Sequence, residues 1–335
     1  MILFRTDLIP RGKFADTVLA IARERNLRRQ HGVADCVSVR RLVIAALIGV
    51  GVSAAILPVV VAENALHIWV RPVADPGAAA ALAQATGSEW EAARITADDG
   101  ILLDGWLFTP QFANGSAVIL MHGVGDTRLG MLGHARYLLL AGFTVLTPDC
   151  RGHGTSGGAI ISYGVKEASD VHRWADWLLR RQAVRRLYGL GESMGSAILL
   201  ESLTQEPRFR AIVAECPFSS FEDVACYRLQ EASGLGHWAA WPVARAGFLY
   251  ARIRYGVDLS KASPAAAVRA SHVPVLLIHG TSDRNIPFAE SEMIHALNPA
   301  VTRLWLVEGA RHVSALAARP AEYVSNVVDW FRSHP

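Results

Sequence analysis

Arg186-Leu187-Tyr188-Gly189-Leu190 runs straight into Gly191-Glu192-Ser193-Met194-Gly195, which leads into Ser196-Ala197-Ile198-Leu199-Leu200-Glu201. The first stretch has the continuous apolar character of a buried strand, and the last that of a helix start. A Gly-x-Ser-x-Gly held between the two predicts a nucleophile elbow, a turn so sharp that the serine backbone is strained. Gly191 and Gly195 lack a Cβ where the strand and helix backbones nearly touch. Such a turn exposes the Ser193 Oγ at the end of a parallel sheet and aims the Met194 N–H at the reacting oxygen.

Outward from this point the chain alternates between strand-like and helix-like stretches. Residues 92–96 and 102–108 read as an antiparallel pair turned at Asp98-Asp99-Gly100, and 117–121 as a short buried strand. A helix over 129–141 is stopped by Gly142, and 143–147 is the next strand. Residues 163–181 have helical periodicity, and 211–214, 275–279 and 304–307 are three further buried strands. Repeated strand–helix alternation with continuous apolar strands predicts an α/β fold, a parallel sheet with helices on both faces. Residues 217–270 interrupt that rhythm with a heavy aromatic load, which predicts a helical lid inserted over the site. Phe218, Trp238 and Trp241 are the substrate-binding candidates within it.

A serine hydroxyl needs a base within hydrogen-bond reach, and the base needs an orienting acid. In this kind of sheet the order is serine, acid, histidine, each just past a strand. Asp283 follows the 275–279 strand and His312 follows the 304–307 strand, so Ser193, Asp283 and His312 are the catalytic candidates. Among twelve histidines, only His312 has both the loop position and the order. His122 and His279 sit at strand ends, where structural hydrogen bonds are expected, and His153 lies in a glycine-rich turn. Glu308 is the runner-up acid. The second oxyanion donor, beside Met194, is expected from the turn His122-Gly123-Val124-Gly125-Asp126, with the Val124 N–H as candidate.

Of 335 residues, 51% are hydrophobic, and mean hydropathy is +0.24. The cause lies in 42–62 (LVIAALIGVGVSAAILPVVVA), 21 residues without a charge. That length predicts a transmembrane signal anchor. Residues 1–41 carry nine Lys/Arg against four acids, while 63–335 carry 24 against 26. The bias puts the N-terminus in the cytoplasm and the rest outside it. The pI of 8.8 is therefore a topology signal and does not suggest nucleic-acid binding. Residues 16–29 read either as a basic amphipathic helix or as a disordered tail. Residues 63–88 read as a linker with room for a short surface helix, and 89–335 as the catalytic domain. No CxxC or HExxH pattern suggests a metal; a Cys216–Cys226 bridge is an open possibility.

These motifs together resemble the α/β-hydrolase superfamily over about residues 92–335. The matched text is Leu120-Met121-His122-Gly123-Val124, Thr147-Pro148-Asp149-Cys150-Arg151-Gly152-His153-Gly154-Thr155-Ser156-Gly157, the elbow, His279-Gly280-Thr281-Ser282-Asp283, and His312. The second segment looks like the turn of the serine aminopeptidase-like and monoglyceride-lipase-like branch. The anchor makes the whole similar to membrane-anchored α/β-hydrolase-domain proteins. The resemblance implies a mostly parallel eight-stranded sheet and acyl transfer to water through an acyl-serine, without cofactor. The expected activity is a carboxylic ester or thioester hydrolase for apolar acyl groups, such as a lysophospholipid, monoacylglycerol or acylated protein. A peptidase using Glu192, Glu215 or Glu222 to hold a free amine, and a non-catalytic membrane-tethered binding module, are the alternatives.

Overall fold

The structure, a computed structural model, describes residues 11–69, 75–181, 183–234 and 236–335. The first ten residues of the basic segment, residues 70–74 of the expected linker and position 235 of the expected lid lie outside them. Two compact units divide the chain, Met1–Leu57 and Pro58–Pro335.

In the first unit the described backbone is helical, part of α1 (Arg11–Leu66). The charge-free run 42–62 falls in this helix, and its Leu42, Leu47, Val52 and Ile56 are exposed. Among the described residues no helix is long and apolar enough to cross a membrane. The span expected over 42–62 therefore has no support in the structure. Side chains at 48, 50, 53 and 54 lie outside the description, and the same helix continues N-terminally through Arg23, Arg25, Arg28, Arg29, Arg40 and Arg41.

The second unit is built on an eight-stranded sheet in the order β1-β2-β4-β3-β5-β6-β7-β8. Its strands are β1 (Ser88–Thr96), β2 (Leu102–Pro110), β3 (Ser116–Met121), β4 (Thr144–Pro148), β5 (Arg186–Glu192), β6 (Phe209–Glu215), β7 (Val275–Gly280) and β8 (Thr302–Val307). β2 runs antiparallel to both β1 and β4, and all pairings from β4 through β8 are parallel. Central strands are buried on both faces, so their continuous apolar text serves two cores. Ala117, Ile119 and Met121 join one core with Leu146, Ile212 and Leu277. Val118 and Leu120 join the other with Val145, Leu190 and Val213.

Helices α4 (Glu167–Leu179), α5 (Met194–Ser202), α8 (Pro264–Ala270) and α9 (Ala289–Leu297) bring residues to the first core. Helices α2 (Pro76–Thr86), α3 (Leu132–Leu140), the short α10 (Ala315–Ala318) and α11 (Pro320–Arg332) cover the second. The expected linker is thus in part a structured element. Asp75 caps α2 at Gly77 N–H, Gly87 ends it in the left-handed region, and Ala79, Leu82 and Ala83 are buried. Its alanine- and glycine-rich text hid a narrow apolar face. α4 starts four residues later than its periodicity suggests. Tyr163 and Gly164 take positive φ, and the Glu167 carboxylate folds back to accept N–H bonds from Ser162 (2.8 Å) and Gly164 (2.9 Å).

Between β6 and β7 the chain forms α6 (Phe221–Ser233), α7 (His237–Tyr255), a 3-10 turn over Leu259–Lys261, and α8. This is the helical insertion expected over 217–270.

Candidate active site

Ser193 joins β5 to α5 with φ 52° and ψ −118°, a conformation costing about 1–3 kcal/mol that only a well-determined surrounding maintains. The surrounding is visible. A Cβ on Gly191 would sit 2.5 Å from the Gly195 carbonyl carbon, and one on Gly195 would sit 2.2 Å from the Met121 oxygen. Strand, helix and neighbouring strand close on one another there, and only glycine fits. The Ser193 N–H donates to the Glu215 carbonyl at 2.8 Å.

The three residues expected to act together meet at this point, although Ser193 and His312 are 119 positions apart. His312 Nε2 lies 2.9 Å from Ser193 Oγ, and His312 Nδ1 lies 2.6 Å from Asp283 Oδ2. A carboxylate can only accept, so Nδ1 carries the ring proton and Nε2 is free to accept from the serine hydroxyl. Asp283 Oδ1 accepts the N–H groups of Asn285 (2.8 Å) and Ile286 (3.0 Å). Burial opposes its ionisation. Hydrogen bonds from His279 and His312 outweigh that and hold the carboxyl well below the usual carboxylate range. Glu308, the runner-up acid, is exposed.

His279 is placed to support the acid. Its Nε2–H donates to the Ile286 carbonyl at 3.0 Å and lies 3.3 Å from Asp283 Oδ2, while its Nδ1 accepts from Ser291 Oγ at 2.7 Å. His122 is likewise structural. Its Nε2 accepts the Cys150 N–H at 3.0 Å, which leaves Nδ1–H to donate to the Gly123 carbonyl at 2.8 Å. Burial and the neighbouring His153 push it down to about 4. His153 reaches from the glycine-rich turn to accept the Gly125 N–H at 3.2 Å. It thereby pins the turn that faces the serine, a link the sequence did not disclose.

Of the two oxyanion candidates, Met194 opens α5, so its N–H is one of those a helix start leaves unbonded. The Val124 N–H makes no hydrogen bond among the described residues. The preceding Gly123 lies against Ser193, where an added Cβ would be 3.5 Å from Ser193 Cβ.

The three lid candidates fare differently. Phe218 is buried and packs 5.9 Å from Phe221. Phe221 in turn stacks on Tyr163 at 3.8 Å and on Phe248 at 5.6 Å. Trp238 and Trp241 instead lie on the outward side of α7, 84% and 39% exposed. Position within an aromatic segment did not tell inward from outward.

Behind the elbow lies a buried polar group that holds two of the three glutamates considered from the sequence, Glu192 and Glu215. Glu192 Oε1 pairs with His134 Nε2 of α3 at 2.7 Å. Glu215 accepts the Ala315 N–H at 3.0 Å and the Tyr323 hydroxyl at 2.8 Å. Burial, with the Glu192 charge nearby, raises the Glu215 carboxyl. Burial alone would lower His134, but the Glu192 hydrogen bond raises it. Glu222 is on the lid, paired with Arg245 at 2.8 Å. None of the three is an unengaged carboxylate. Among the described residues, Cys216/Asp283/His312 and His134/Glu192/Glu215 each bring three potential metal-ligand atoms within 4.8 Å of one another. Most of these atoms are already hydrogen-bonded as above. Cys150, Cys216 and Cys226 are free buried thiols, so the Cys216–Cys226 bridge is not formed.

The Asp149-to-Ser156 turn is a structural clasp. Asp149 accepts the Arg128 N–H at 2.8 Å, the Arg128 guanidinium at 2.7 Å and the Thr155 N–H at 2.9 Å. Arg151 joins Asp170 at 2.6 Å to Asp99 at 2.8 Å.

This sheet order, with its elbow after β5, defines an α/β-hydrolase. The chain belongs more particularly to the prolyl oligopeptidase family, whose model matches residues 131–334 and so takes in Ser193, Asp283 and His312. It is similar to the uncharacterised protein YqkD of Bacillus subtilis, 29% identical over 218 residues, 64% of this chain and 70% of that one. In structure it is similar to the esterase Pf2001 of Pyrococcus furiosus, at TM-score 0.62 and 23% identity over 75% of this chain and 95% of that one. An acylaminoacyl peptidase of Pyrococcus horikoshii shares the fold at TM-score 0.57 and 17% identity, over 73% of this chain and 42% of that one. These matches bear out the superfamily expected from the motifs. They do not single out the serine aminopeptidase-like or monoglyceride-lipase-like branch.

Proposed function

We propose that the protein is a serine hydrolase that cleaves carboxylic ester or thioester bonds of apolar acyl groups through an acyl-enzyme. The observation that carries this reading is the chain of contacts Ser193 Oγ–His312 Nε2 (2.9 Å) and His312 Nδ1–Asp283 Oδ2 (2.6 Å) on a strained elbow. Ser193 Oγ attacks the carbonyl carbon while His312 Nε2 takes its proton. The Val124 and Met194 N–H groups hold the developing oxyanion. His312 returns the proton to the leaving oxygen or sulfur, and a water then hydrolyses the acyl-serine by the reverse proton path. Asp283 stays ionised throughout and fixes the imidazole tautomer.

The apolar acyl preference rests on the aromatic residues of the insertion, Phe218, Phe221 and Phe248, with Tyr163 from the segment before α4 stacked on Phe221. Ser193 is 7% exposed, so entry of a lysophospholipid, monoacylglycerol or acylated protein needs the lid to move. Peptide-bond cleavage is the second reading, favoured by membership of the prolyl oligopeptidase family. The engagement of Glu192, Glu215 and Glu222 weighs against capture of a free amine by those residues.

A fluorophosphonate probe tests the core of the proposal. Labelling of wild type that is lost in Ser193→Ala and strongly slowed in His312→Ala is expected. Turnover is then compared across an ester chain-length series and blocked or free peptides. No labelling of the folded wild type would leave a binding module as the better account. Location is a separate proposal drawn from sequence alone: the charge bias around 42–62 would put residues 63–335 outside the cytoplasm. A reporter fused after Pro335 that is active only in the cytoplasm refutes it.

A further inference from the structure

Helix α7 is inside out. Its buried positions are Ala240, Ala244, Gly247 and Ala251, at spacings of four, three and four residues, which trace one helical stripe. Phe248 and Tyr255 also pack inward, but four other large apolar residues lie on the other side: Trp238 is 84%, Leu249 58% and Ile253 76% exposed, with Trp241 beside them. An ordinary surface helix puts large side chains in and small or polar ones out. An outward stripe of this kind needs an occupant.

Charge indicates which. Residues 232–257 contain no acid, and α7 carries Arg245, Arg252 and Arg254, all exposed. The Arg245 guanidinium lies 4.4 Å over the Trp241 ring, so an aromatic plane and a cation share one outward level. Three acids from elsewhere reach the helix: Glu222 at 2.8 Å from Arg245, Asp258 at 3.8 Å from Arg252, and Glu63, which accepts the hydroxyls of Tyr250 at 2.5 Å and Tyr255 at 2.8 Å on the side of Arg254. Apolar rings interleaved with arginines fit the boundary between acyl chains and anionic head groups. The inward stripe is also informative. A Cβ on Gly247 would be 3.1 Å from the Pro58 carbonyl and 3.5 Å from Ala62 Cβ. The last residues of the charge-free run therefore pack under α7, and the nearby Val60 is itself 47% exposed.

We propose that α7 is a membrane-surface helix whose Trp238, Trp241, Leu249 and Ile253 enter the interface of an anionic bilayer, with Arg245 and Arg252 at the head groups. The helix lies on the surface and does not span it. Because α7 belongs to the insertion between β6 and β7, docking would hold the lid to the lipid surface.

The test uses the full chain with Cys36→Ser, since Cys150, Cys216 and Cys226 are buried. An environment-sensitive fluorophore is attached at Trp238→Cys or Ile253→Cys, and at Phe112→Cys, an 83% exposed aromatic on the β2–β3 turn. Vesicles are phosphatidylcholine, with or without phosphatidylglycerol. Blue-shifted, brightened emission from 238 and 253 on the anionic vesicles, with 112 unchanged, is expected. Each Arg→Glu change at 245 or 252 should weaken the response at least about fivefold. Equal responses at 238 and 112 on vesicles that sediment with the protein would overturn the proposal, as would equal responses on both lipids. A shift without vesicles that grows with protein concentration would overturn it in favour of a contact between two copies.

Discussion

The main-chain carbonyl of Glu215 receives the N–H of Ser193 at 2.8 Å. The carboxylate of the same residue receives the N–H of Ala315, three positions beyond His312, at 3.0 Å. One residue at the end of β6 thus ties the turn of Ser193 to the loop that carries His312. Glu215→Ala should lower kcat by about 10²-fold, the cost of a misplacement on the order of 1 Å, with KM little changed. Glu215→Gln keeps an acceptor and should retain most activity. Steady-state kinetics on the pair separates the geometric role from the charge.

Asp283→Asn should keep the fold and lower kcat by about 10⁴-fold, because an amide no longer selects the Nδ1–H tautomer of His312. The pH dependence of stability gives a second check. The folded Asp283 carboxyl is depressed below 3.8, so its stabilisation is complete above that value and is lost as pH falls through the depressed range. The stability advantage of wild type over Asp283→Asn, followed by circular dichroism, should therefore be full above 3.8 and shrink as pH falls through the depressed range.

Glu201 is a buried carboxyl whose Oε1 has no hydrogen-bond partner among the described residues. Burial, then the Glu167 charge, pushes it up to about 9 from 4.5. The folded state holds a proton that the unfolded chain releases, so this group erodes stability as pH rises from 4.5 towards 9. Glu201→Gln should stabilise the protein at pH 8 by on the order of 1–3 kcal/mol, and little at pH 5. Thermal denaturation at the two pH values reads the difference, at roughly 2–4 °C per kcal/mol.

Gly191→Ala and Gly195→Ala should each cost about 3 kcal/mol or more, because the added methyl meets backbone at 2.5 and 2.2 Å. Loss of a cooperative melt, or of soluble protein, is expected. A normal melt with unchanged fluorophosphonate labelling would show that the strand–helix approach at the elbow is looser than described.

Much of this was legible in the text. Each central strand was marked by a continuous apolar run, because both of its faces are buried. Ser193, Asp283 and His312 were marked by their order past successive strands. Less was legible where the signal depended on a partner. α2 was masked by small residues, whose apolar face is narrow. α4 starts late because Glu167 caps the backbone turn before it. Trp238 and Trp241 sit in an aromatic segment, yet only the packing of α7 by its alanines turned them outward.

The sequence by itself determined the elbow, the strand order of the catalytic candidates and the glycines that the close approach demands, since these are local in the chain. Tertiary structure alone decided which polar groups meet. His134 reaches Glu192 across 58 positions, and Tyr323 reaches Glu215 across 108. Such pairs form because the sheet order lays distant segments side by side, and an isolated residue carries no mark of the neighbour that burial will assign to it.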